Sequence, residues 1–327
     1  MYINYQRPYN VQIEVTTKCN AMCPLCPRVD VDNDTRLSPD MPYNKDLELD
    51  VFKNFIDQSS PQLVEYIPMY GDPLANDKFL SMIEYSHHYN YKIHTNASLR
   101  STDYFKELAK FSPYDGDSYV SFSIDGLEDT NHIYRRGTSW SKIISNAEAF
   151  IKAGGHAQWK FIIFDHNKHQ LAEARQLAQK LGFKTFTATP NWGGKFQIHT
   201  TPIKQIQAER KIYNKRQDHK KPDHTKIVCE WKNYPKIYLS VFGEVFPCCY
   251  LYDEYQASKS FTGSDLVDEF EKYKKGFNSV KLNKLVDILN HPWFKKELEK
   301  SWDSNSLKRC LTSCGIKHKT YGLVENL

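Results

Sequence analysis

Short runs of apolar, β-branched and aromatic residues recur along the chain up to residue 190, with polar residues between them. Runs of about four to eight such residues, bounded by turn-forming residues, are typical of β-strands. The pattern predicts strands at Val11–Val15, Leu63–Tyr70, Tyr91–His94, Tyr119–Ile124, Gln158–Phe164 and Lys184–Thr189.

Segments with apolar residues at helical spacing lie between these strands. They predict helices at Leu47–Ile56, Phe79–Tyr89, Tyr104–Phe111, Trp140–Ala153 and His169–Leu181. Gly182 follows the last helix directly, as expected of a C-terminal cap. Strands that alternate with helices predict βαβ units and a parallel sheet. Because such crossovers are right-handed, we expect an α/β protein with a partial (β/α)6 TIM-like barrel.

The alternation of strands and helices ends after Pro190. Asn191-Trp-Gly-Gly194 predicts a turn, and residues 204–226 carry eight Lys and Arg residues with little apolar sequence. We expect this basic segment to be a solvated linker helix. The alternative is that its charge steers an acidic peptide or a phosphorylated substrate.

A short hairpin is predicted over Lys236–Phe246, with Gly243 and Glu244 in its turn. Helical sequence follows to about Ser301. The sequence therefore predicts a small α+β region after the barrel. The expected domains are a barrel over residues 1–195, a basic linker over 196–226 and a C-terminal domain over 227–327.

The composition is that of a globular protein with a sizeable core. The 327-residue chain is 40% hydrophobic and 25% charged. No apolar run approaches the ~20 residues that a membrane helix needs, and the N-terminal residues lack the apolar centre of a signal peptide. The prediction is a cytoplasmic protein with no membrane partner. The net charge of +5 is mild and does not point to a nucleic-acid partner.

The eight cysteines fall into groups, and a cytoplasmic chain favours metal sites over disulfides for such groups. Cys19, Cys23 and Cys26 form Cys-x3-Cys-x2-Cys directly after the first predicted strand. Three thiolates can hold three corners of a [4Fe-4S] cluster and leave one iron open. The alternative is a zinc site whose fourth ligand comes from elsewhere in the chain.

Polar motifs follow the other predicted strands, and barrel-type α/β proteins bind ligands at the C-terminal ends of their strands. An arginine pair with a glycine, Arg135-Arg136-Gly137, begins ten residues after Asp125, which follows the fourth predicted strand. The strand-end motifs are Met69-Tyr-Gly-Asp-Pro73, His94-Thr-Asn96, Ser121-Phe-Ser-Ile-Asp-Gly126 and Phe164-Asp-His-Asn167. Taken singly, each of these motifs is more often a turn or a solvated surface. Their order along the chain, one after each strand, is what indicates a common site.

The cysteine spacing and the ordered motifs resemble the radical S-adenosylmethionine (radical SAM) superfamily over residues 10–190. The resemblance implies that an open iron binds the methionine part of SAM, which contacts residues of the strand-end motifs. The chain departs from the family pattern at three positions: Tyr70 and Ala97 each replace a glycine, and Asp72 replaces a glutamate. The implied SAM contacts are Tyr70, Gly71, Asp72, Thr95, Asn96, Ser123, Asp125, Arg135, Arg136 and Asn167.

The remaining cysteines resemble the twitch domain, a shortened form of the SPASM extension of this superfamily. Cys229 and Cys248 flank the predicted hairpin as Cys-x13-Gly-x4-Cys, and Cys310 and Cys314 lie near the C-terminus. The resemblance implies that these four thiols hold an auxiliary [4Fe-4S] cluster, with structural zinc as the alternative. The usual final pair is Cys-x2-Cys, so Cys-x3-Cys departs by one residue. The spare Cys249 is interpreted as a buried small residue, with replacement of Cys248 or a thiol hydrogen donor as alternatives.

The resemblance implies an oxidoreductase with two [4Fe-4S] clusters and SAM, reduced by a donor such as flavodoxin or ferredoxin. SAM would be cleaved reductively to a 5′-deoxyadenosyl radical, which removes a hydrogen from the substrate. Peptide or protein modification is the first hypothesis. One alternative is dehydrogenation of a small-molecule alcohol, with the auxiliary cluster as electron acceptor. The other is a metal-stabilised binding protein without catalysis.

Overall fold

The computed structural model describes residues 9–29, 43–67, 69–112, 118–190, 227, 229, 235–258, 266, 270, 272–304, 306–314 and 323–326. The turn predicted at 191–194 and the basic segment 204–226 lie outside these residues. The chain divides into two compact units. The first comprises Met1–Thr17, Asp40–Gly71 and Lys220–His318, and the second comprises Lys18–Pro39, Asp72–His219 and Lys319–Leu327.

The strands of the described residues confirm the predicted series, with boundaries that differ by a few residues. They are β1 Asn10–Ile13, β2 Leu63–Tyr66, β3 Asn90–Thr95, β4 Tyr119–Ser123, β5 Ala157–Ile163, β6 Thr185–Pro190, β7 Lys236–Leu239, β8 Val245–Phe246 and β9 Leu323–Asn326. The predicted second strand was four residues too long, because the chain leaves the sheet after Tyr66 and forms the turn that carries the Gly-Asp-Pro motif.

The five predicted helices are also present, and Gly182 caps the last of them with a φ of 92°. The helices are α1 Leu49–Ser59, α2 Phe79–Ser86, α3 Thr102–Ala109, α4 Asn131–Tyr134, α5 Trp140–Lys152, α6 Leu171–Leu181, α7 Cys249–Ser258, α8 Leu285–Asn290, α9 Leu298–Ser304 and α10 Lys308–Cys314. The short helix α4 was not predicted, because four residues are too few to show a helical period.

In the second unit, β3, β4, β5 and β6 pair in parallel, and β9 joins β6 antiparallel. One face of strands β3 to β6 is buried and largely apolar, because alternate strand positions point to the same side. Phe122 of β4 packs against Phe105 of α3 and Phe150 of α5, and Trp159 of β5 packs against Phe183. The core of this unit therefore lies between the sheet and its helices.

The opposite face of β3 and β5 carries polar side chains of intermediate exposure. Lys92 and His94 alternate with buried residues on β3, and Gln158 and Lys160 do so on β5. Thr187 of β6 accepts a hydrogen bond from the Gln158 side chain at 3.1 Å. This polar face is the concave side expected of a partial barrel, since the helices cover the other side.

In the first unit, β1 pairs in parallel with β2 on one side and with β7 on the other. The hairpin of β7 and β8 confirms the predicted turn, with Tyr238 opposite Phe246 and a φ of 80° at Gly243. The addition of β7 to β1 was not predicted, because local periodicity does not say which distant strand becomes a neighbour.

The chain is thus a mixed α/β protein whose strands β1 to β6 alternate with helices, consistent with a partial TIM barrel. Within the described residues, no helix combines the length and the apolar character needed to cross a bilayer. We expect ligands to bind at the C-terminal ends of the strands, next to the concave face.

Candidate active site

The cysteine loop is anchored in apolar packing and by long-range hydrogen bonds. Cys23 is buried in a group with Ala21, Leu25, Tyr134 and Phe164, and the other two cysteines of the motif pack against this group. The Met22 amide donates to the Arg136 carbonyl at 2.8 Å, which ties the loop to the segment after α4. The three thiols are therefore held together by parts of the chain more than 100 residues apart.

Gly137 is required where the cysteine loop meets this segment. Its φ is 80°, and a Cβ atom there would lie 2.7 Å from the backbone oxygen of Asn20. Any other residue would be strained in backbone conformation and would push the cysteine loop away. The glycine of the Arg-Arg-Gly motif thus permits close backbone approach.

Arg28 was missed as a site residue in the sequence. Its guanidinium is buried and donates to the Ala21 carbonyl at 3.3 Å and to the Cys19 carbonyl at 3.5 Å. An arginine two residues after the last cysteine was the available signal. The side chain holds the loop backbone from the inside, and its positive charge favours thiolates nearby.

Several N–H groups point at the sulfur atoms of the motif. Cys19 Sγ accepts from the Ala21 amide at 3.3 Å and from Asn96 Nδ2 at 3.5 Å. Cys23 Sγ accepts from Arg135 Nη1 at 3.8 Å. Such hydrogen bonds stabilise cluster thiolates and tune the reduction potential of iron–sulfur clusters.

Burial raises the pKa of the Cys19 thiol to about 12 and that of Cys23 to about 11, and neighbouring thiols of the motif add to both shifts. Without iron these cysteines stay protonated, because buried negative charges would face one another. Bound iron removes this penalty by ligating the thiolates. The donor set of three adjacent soft ligands with N–H donors fits three corners of a [4Fe-4S] cluster.

All eight cysteines lie in the described part of the chain, and none forms a disulfide. Among the described residues, no three His, Cys, Asp or Glu side chains are grouped tightly enough to bind a single metal ion. A cubane cluster has a different requirement, because each cysteine binds its own iron atom.

Asp72 organises the strand ends next to the cysteine loop. Its buried carboxylate accepts hydrogen bonds from the Asn96 amide at 2.7 Å, the Leu74 amide at 3.1 Å and the Thr95 hydroxyl at 3.0 Å. The Asp72 amide in turn donates to the Lys18 carbonyl at 2.8 Å. Burial raises the pKa of Asp72, while the bonds from Asn96 and Thr95 lower it. The predicted contacts Asp72, Thr95 and Asn96 thus form one network that reaches Cys19 through Asn96.

We expect Asp72→Asn to weaken SAM binding by about tenfold or more, because an amide N–H₂ would oppose the N–H donors of this network. Equilibrium dialysis of SAM with the reconstituted full chain measures the effect. The matched control is Asp77→Asn, an exposed carboxylate paired with Arg100 at 2.7 Å. Equal SAM affinity of Asp72→Asn and the control would contradict a role for the network.

Asp125 and Arg135 form the most deeply buried ion pair of the second unit in the described chain. Arg135 Nε lies 2.6 Å from Asp125 Oδ2, with side chains 15% and 0% exposed. Asp125 Oδ1 accepts from the Ile162 amide at 2.6 Å, and the Asp125 amide donates to the Asn131 side chain at 2.9 Å. The pair therefore joins β4, β5 and α4 beside Cys23.

The remaining predicted contacts of this unit lie nearby. The buried Asn167 side chain donates to the Asp125 and Ile162 carbonyls, both at 2.9 Å, so it braces the ends of β4 and β5. Ser123 is buried at the end of β4, and Arg136 Nε donates to the Ile133 carbonyl at 3.2 Å. Their direct contact with SAM stays a prediction.

Tyr70 lies in the first unit with Gly71, and its contacts there were not predicted. The Tyr70 amide donates to Glu14 Oε1 at 2.9 Å, and its hydroxyl donates to Asp253 Oδ1 at 2.7 Å. Asp253 of α7 also pairs with Arg309 of α10 at 2.8 Å. The tyrosine that departs from the family's glycine therefore connects the turn after β2 with two helices that carry cysteines.

Glu14 is a fully buried carboxyl group at the end of β1. Burial raises its pKa from 4.5 to about 7, although the Tyr70 amide and the hydroxyls of Tyr252 and Tyr238 lower it. Glu14 directly follows β1 and alternates with apolar residues in the same way as Gln12, which was the signal in the sequence.

The raised pKa of Glu14 predicts that stability falls as pH rises. The folded state holds the proton more tightly, so its contribution is complete below pH 4.5 and is lost as pH rises through about 7. We expect Glu14→Gln to abolish a fall of about 3 kcal/mol over this interval, because glutamine stays neutral. Urea unfolding at a series of pH values measures it, with exposed Glu107→Gln as control. Parallel pH profiles of Glu14→Gln and wild type would exclude this titration.

The second cysteine set is partly assembled in the first unit. Burial raises the pKa of Cys248 well above its usual value, and the adjacent Cys249, Cys310 and Cys314 thiols add to the shift. Cys248 Sγ also accepts from the Leu251 amide at 3.4 Å at the start of α7. The Asp253–Arg309 ion pair joins α7, which begins directly after Cys248, to α10, which carries Cys310 and Cys314. Their joint ligation of one cluster stays a prediction.

Cys229 is half-buried, and its assignment as the fourth ligand stays a prediction. Burial raises the pKa of Cys249 to about 12, and the carboxylate of Asp253 is the next contributor. Cys249 begins α7 directly after Cys248. Its side chain is half-buried in the structure, and its interpretation as a spare, buried small residue stays a prediction as well.

A partial α/β barrel with a three-cysteine loop after its first strand defines the class of protein as an iron–sulfur enzyme fold. Residues 13–186 match the model of the radical SAM superfamily. The match spans more than half of the chain, which therefore belongs to this superfamily. Its members are enzymes that use a [4Fe-4S] cluster and SAM. No curated protein matches this chain.

Solved structures show the same fold at low identity. SuiB of Streptococcus suis bound to S-adenosylmethionine is 13% identical with a TM-score of 0.56, covering 91% of this chain and 68% of that chain. The complex of SuiB with its precursor peptide SuiA is 13% identical with a TM-score of 0.57, and the match covers 91% of this chain and 67% of that chain. Native anSMEcpe with bound AdoMet is 12% identical with a TM-score of 0.55, and the match covers 93% of this chain and 96% of that chain.

Proposed function

We propose that this chain cleaves SAM reductively and uses the resulting radical to modify a peptide or protein. The observation that carries the proposal is the packed loop of Cys19, Cys23 and Cys26, in which Cys19 accepts a hydrogen bond from Asn96 and Cys23 accepts one from Arg135. When bound, the cluster and SAM would supply an electron and a carbon radical that removes hydrogen from the substrate. Every other task falls to the side chains of the chain.

The residues of the second unit would hold and orient the cofactors. Cys19, Cys23 and Cys26 would ligate the cluster, and the network around Asp72 would fix the turn that faces the methionine amino group. Arg135 is already paired with Asp125, so its guanidinium would orient the site next to Cys23 with little freedom. Such preorganisation supports a reaction that needs exclusion of competing steps.

A peptide substrate is supported by the fold shared with SuiB, which binds the precursor peptide SuiA. The auxiliary cluster is supported by the Asp253–Arg309 ion pair, which joins the helix that follows Cys248 to the helix that carries Cys310 and Cys314. We place its fourth ligand at Cys229, and we take the assembled site to form a twitch-like region in a cytoplasmic protein. An electron donor such as flavodoxin or ferredoxin would reduce the SAM-site cluster.

The test is anaerobic reconstitution of the full chain, reduction in the presence of SAM and detection of 5′-deoxyadenosine. About eight irons per chain are expected if two [4Fe-4S] clusters form. Candidate precursor peptides and small alcohols labelled with deuterium then identify the substrate class by transfer of deuterium into 5′-deoxyadenosine. A colourless, iron-free protein that produces no 5′-deoxyadenosine would overturn the proposal, and deuterium transfer only from alcohols would overturn its peptide part.

A further inference from the structure

The concave face of the second unit carries lysines that have no role in the proposed binding of SAM or of the clusters. Lys92 and His94 of β3 lie on this face, and the register pairs Lys92 with Tyr119, His94 with Ser121 and Ser123 with Lys160. Lys92 and Lys160 are therefore diagonal neighbours of Ser121 on the two strands beside it. Residues that are paired across neighbouring strands point to the same side of a sheet. These side chains therefore share one surface, which is only partly exposed.

The charges on this face do not balance. Burial lowers the pKa of His94 to about 3, and the positive charges of Lys160, Lys92 and Arg135 contribute in the same direction, so His94 adds no positive charge to this face at neutral pH. Arg135 is paired with Asp125. Asp125 also acts on Lys160 at longer range, but no described carboxylate lies within ion-pair distance of Lys92 or Lys160. Lys92 instead lies 5.6 Å from the centre of the Tyr119 ring.

A buried hydroxyl on the same face supplies a second, independent observation. Ser121 is 0% exposed, and its Oγ has no hydrogen-bond partner within the described residues. Buried hydroxyl groups are ordinarily paired, because leaving one unpaired costs about 1–3 kcal/mol in a protein interior. Two lysines and an unpaired hydroxyl are the donors that a carboxylate or phosphate group accepts.

We propose that Lys160, Lys92 and Ser121 form a binding subsite for an anionic group, a carboxylate or a phosphate, of the substrate. The proposal rests on the proposed function, because it assigns the substrate to the concave face of the same barrel. Lys160 lies two residues before Ile162 on β5, whose amide binds Asp125, and Asp125 pairs with Arg135 beside Cys23. A molecule held at this subsite therefore reaches towards the cysteine loop. A cation-lined concave face also raises the local concentration of an anionic substrate.

Protection of Lys160 from acylation by inorganic phosphate tests this subsite. The reconstituted full chain is treated with limiting acetic anhydride in phosphate or in chloride of equal ionic strength, and acetylation is quantified by peptide mass spectrometry. We expect phosphate to slow acetylation of Lys160 about fivefold or more. Lys152, whose side chain is 76% exposed on α5, is the internal control and should not change.

Variants of Lys92 test whether the second lysine contributes to phosphate binding. Lys92→Gln should raise the phosphate concentration that gives half-protection about tenfold, and Lys92→Arg should restore it. Ser121→Ala should weaken protection without removing it. Each variant is compared with wild type by circular dichroism, and protection of wild-type Lys160 stands on its own if a variant does not fold.

Two outcomes would overturn the proposal. One is no protection of Lys160 by phosphate or by acetate. The other is protection by SAM but not by 5′-methylthioadenosine, which lacks the methionine carboxylate, with no further effect of phosphate once SAM is bound. The second outcome would assign the lysines to the cofactor. Protection needs no SAM cleavage, so it can fail while 5′-deoxyadenosine is still formed, and it can succeed in a chain that forms none.

Discussion

Cys23→Ala should lose the SAM-site cluster and all SAM cleavage. Cys23 is buried in the packed group that holds the loop, and its sulfur accepts a hydrogen bond from the Arg135 guanidinium. A cubane with two protein ligands is left without a third corner, so the loop cannot retain it. We expect about four irons per chain instead of about eight, together with no detectable 5′-deoxyadenosine after anaerobic reduction with SAM.

The matched control for iron content is Cys249→Ala, which removes a thiol outside the predicted ligand sets. It should retain about eight irons. Circular dichroism of both variants separates loss of the cluster from loss of the fold. Substantial 5′-deoxyadenosine from Cys23→Ala would sink the assignment of the loop, whereas loss of iron from Cys249→Ala would revise the second ligand set.

Asp125→Asn should destabilise the folded chain by about 3–5 kcal/mol, because it leaves the buried Arg135 guanidinium without its counter-charge. The carboxylate is 0% exposed and also accepts from the Ile162 amide, so solvent does not replace the lost partner. Urea unfolding of the reconstituted full chain, followed by circular dichroism, measures the shift in midpoint at constant slope.

An exposed ion pair supplies the comparison for Asp125→Asn. Asp165 pairs with Lys168 at 2.9 Å, and the lysine side chain is 64% exposed. Asp165→Asn should change stability by no more than about 0.5 kcal/mol, since solvent screens such pairs. If the two variants proved equally stable, the ion pair beside Cys23 would not be the brace that its geometry indicates.

The sequence predicted those parts of the fold that depend on local pattern. Six strand runs, five helical segments and the Gly182 cap were recognisable because each repeats its own period or turn residue. The order of the strand-end motifs predicted that the cysteine loop, Asp72 and Asp125 belong to one end of a barrel. Parallel strands that end at the same edge make this inference independent of exact boundaries.

Long-range partners could not be predicted in the same way. The pairing of β7 with β1, the hydrogen bond from Tyr70 to Asp253 and the brace of Arg28 within the loop each join residues whose meeting depends on the folded backbone. Lys92 and Lys160 were visible as cations inside strands. Their common face became apparent only from the register of β3, β4 and β5.

The contact between Gly137 and Asn20 has a consequence for biosynthesis. The cysteines leave the ribosome about 110 residues before the segment that fixes their loop, an interval of roughly 5–20 s at ordinary rates of synthesis. During this interval the nascent thiols lack the Arg136 carbonyl that later anchors Met22. Iron delivered to the finished second unit meets a preformed cradle, whereas iron delivered earlier meets an unrestrained peptide. Cluster insertion is therefore expected to follow folding of the barrel segment.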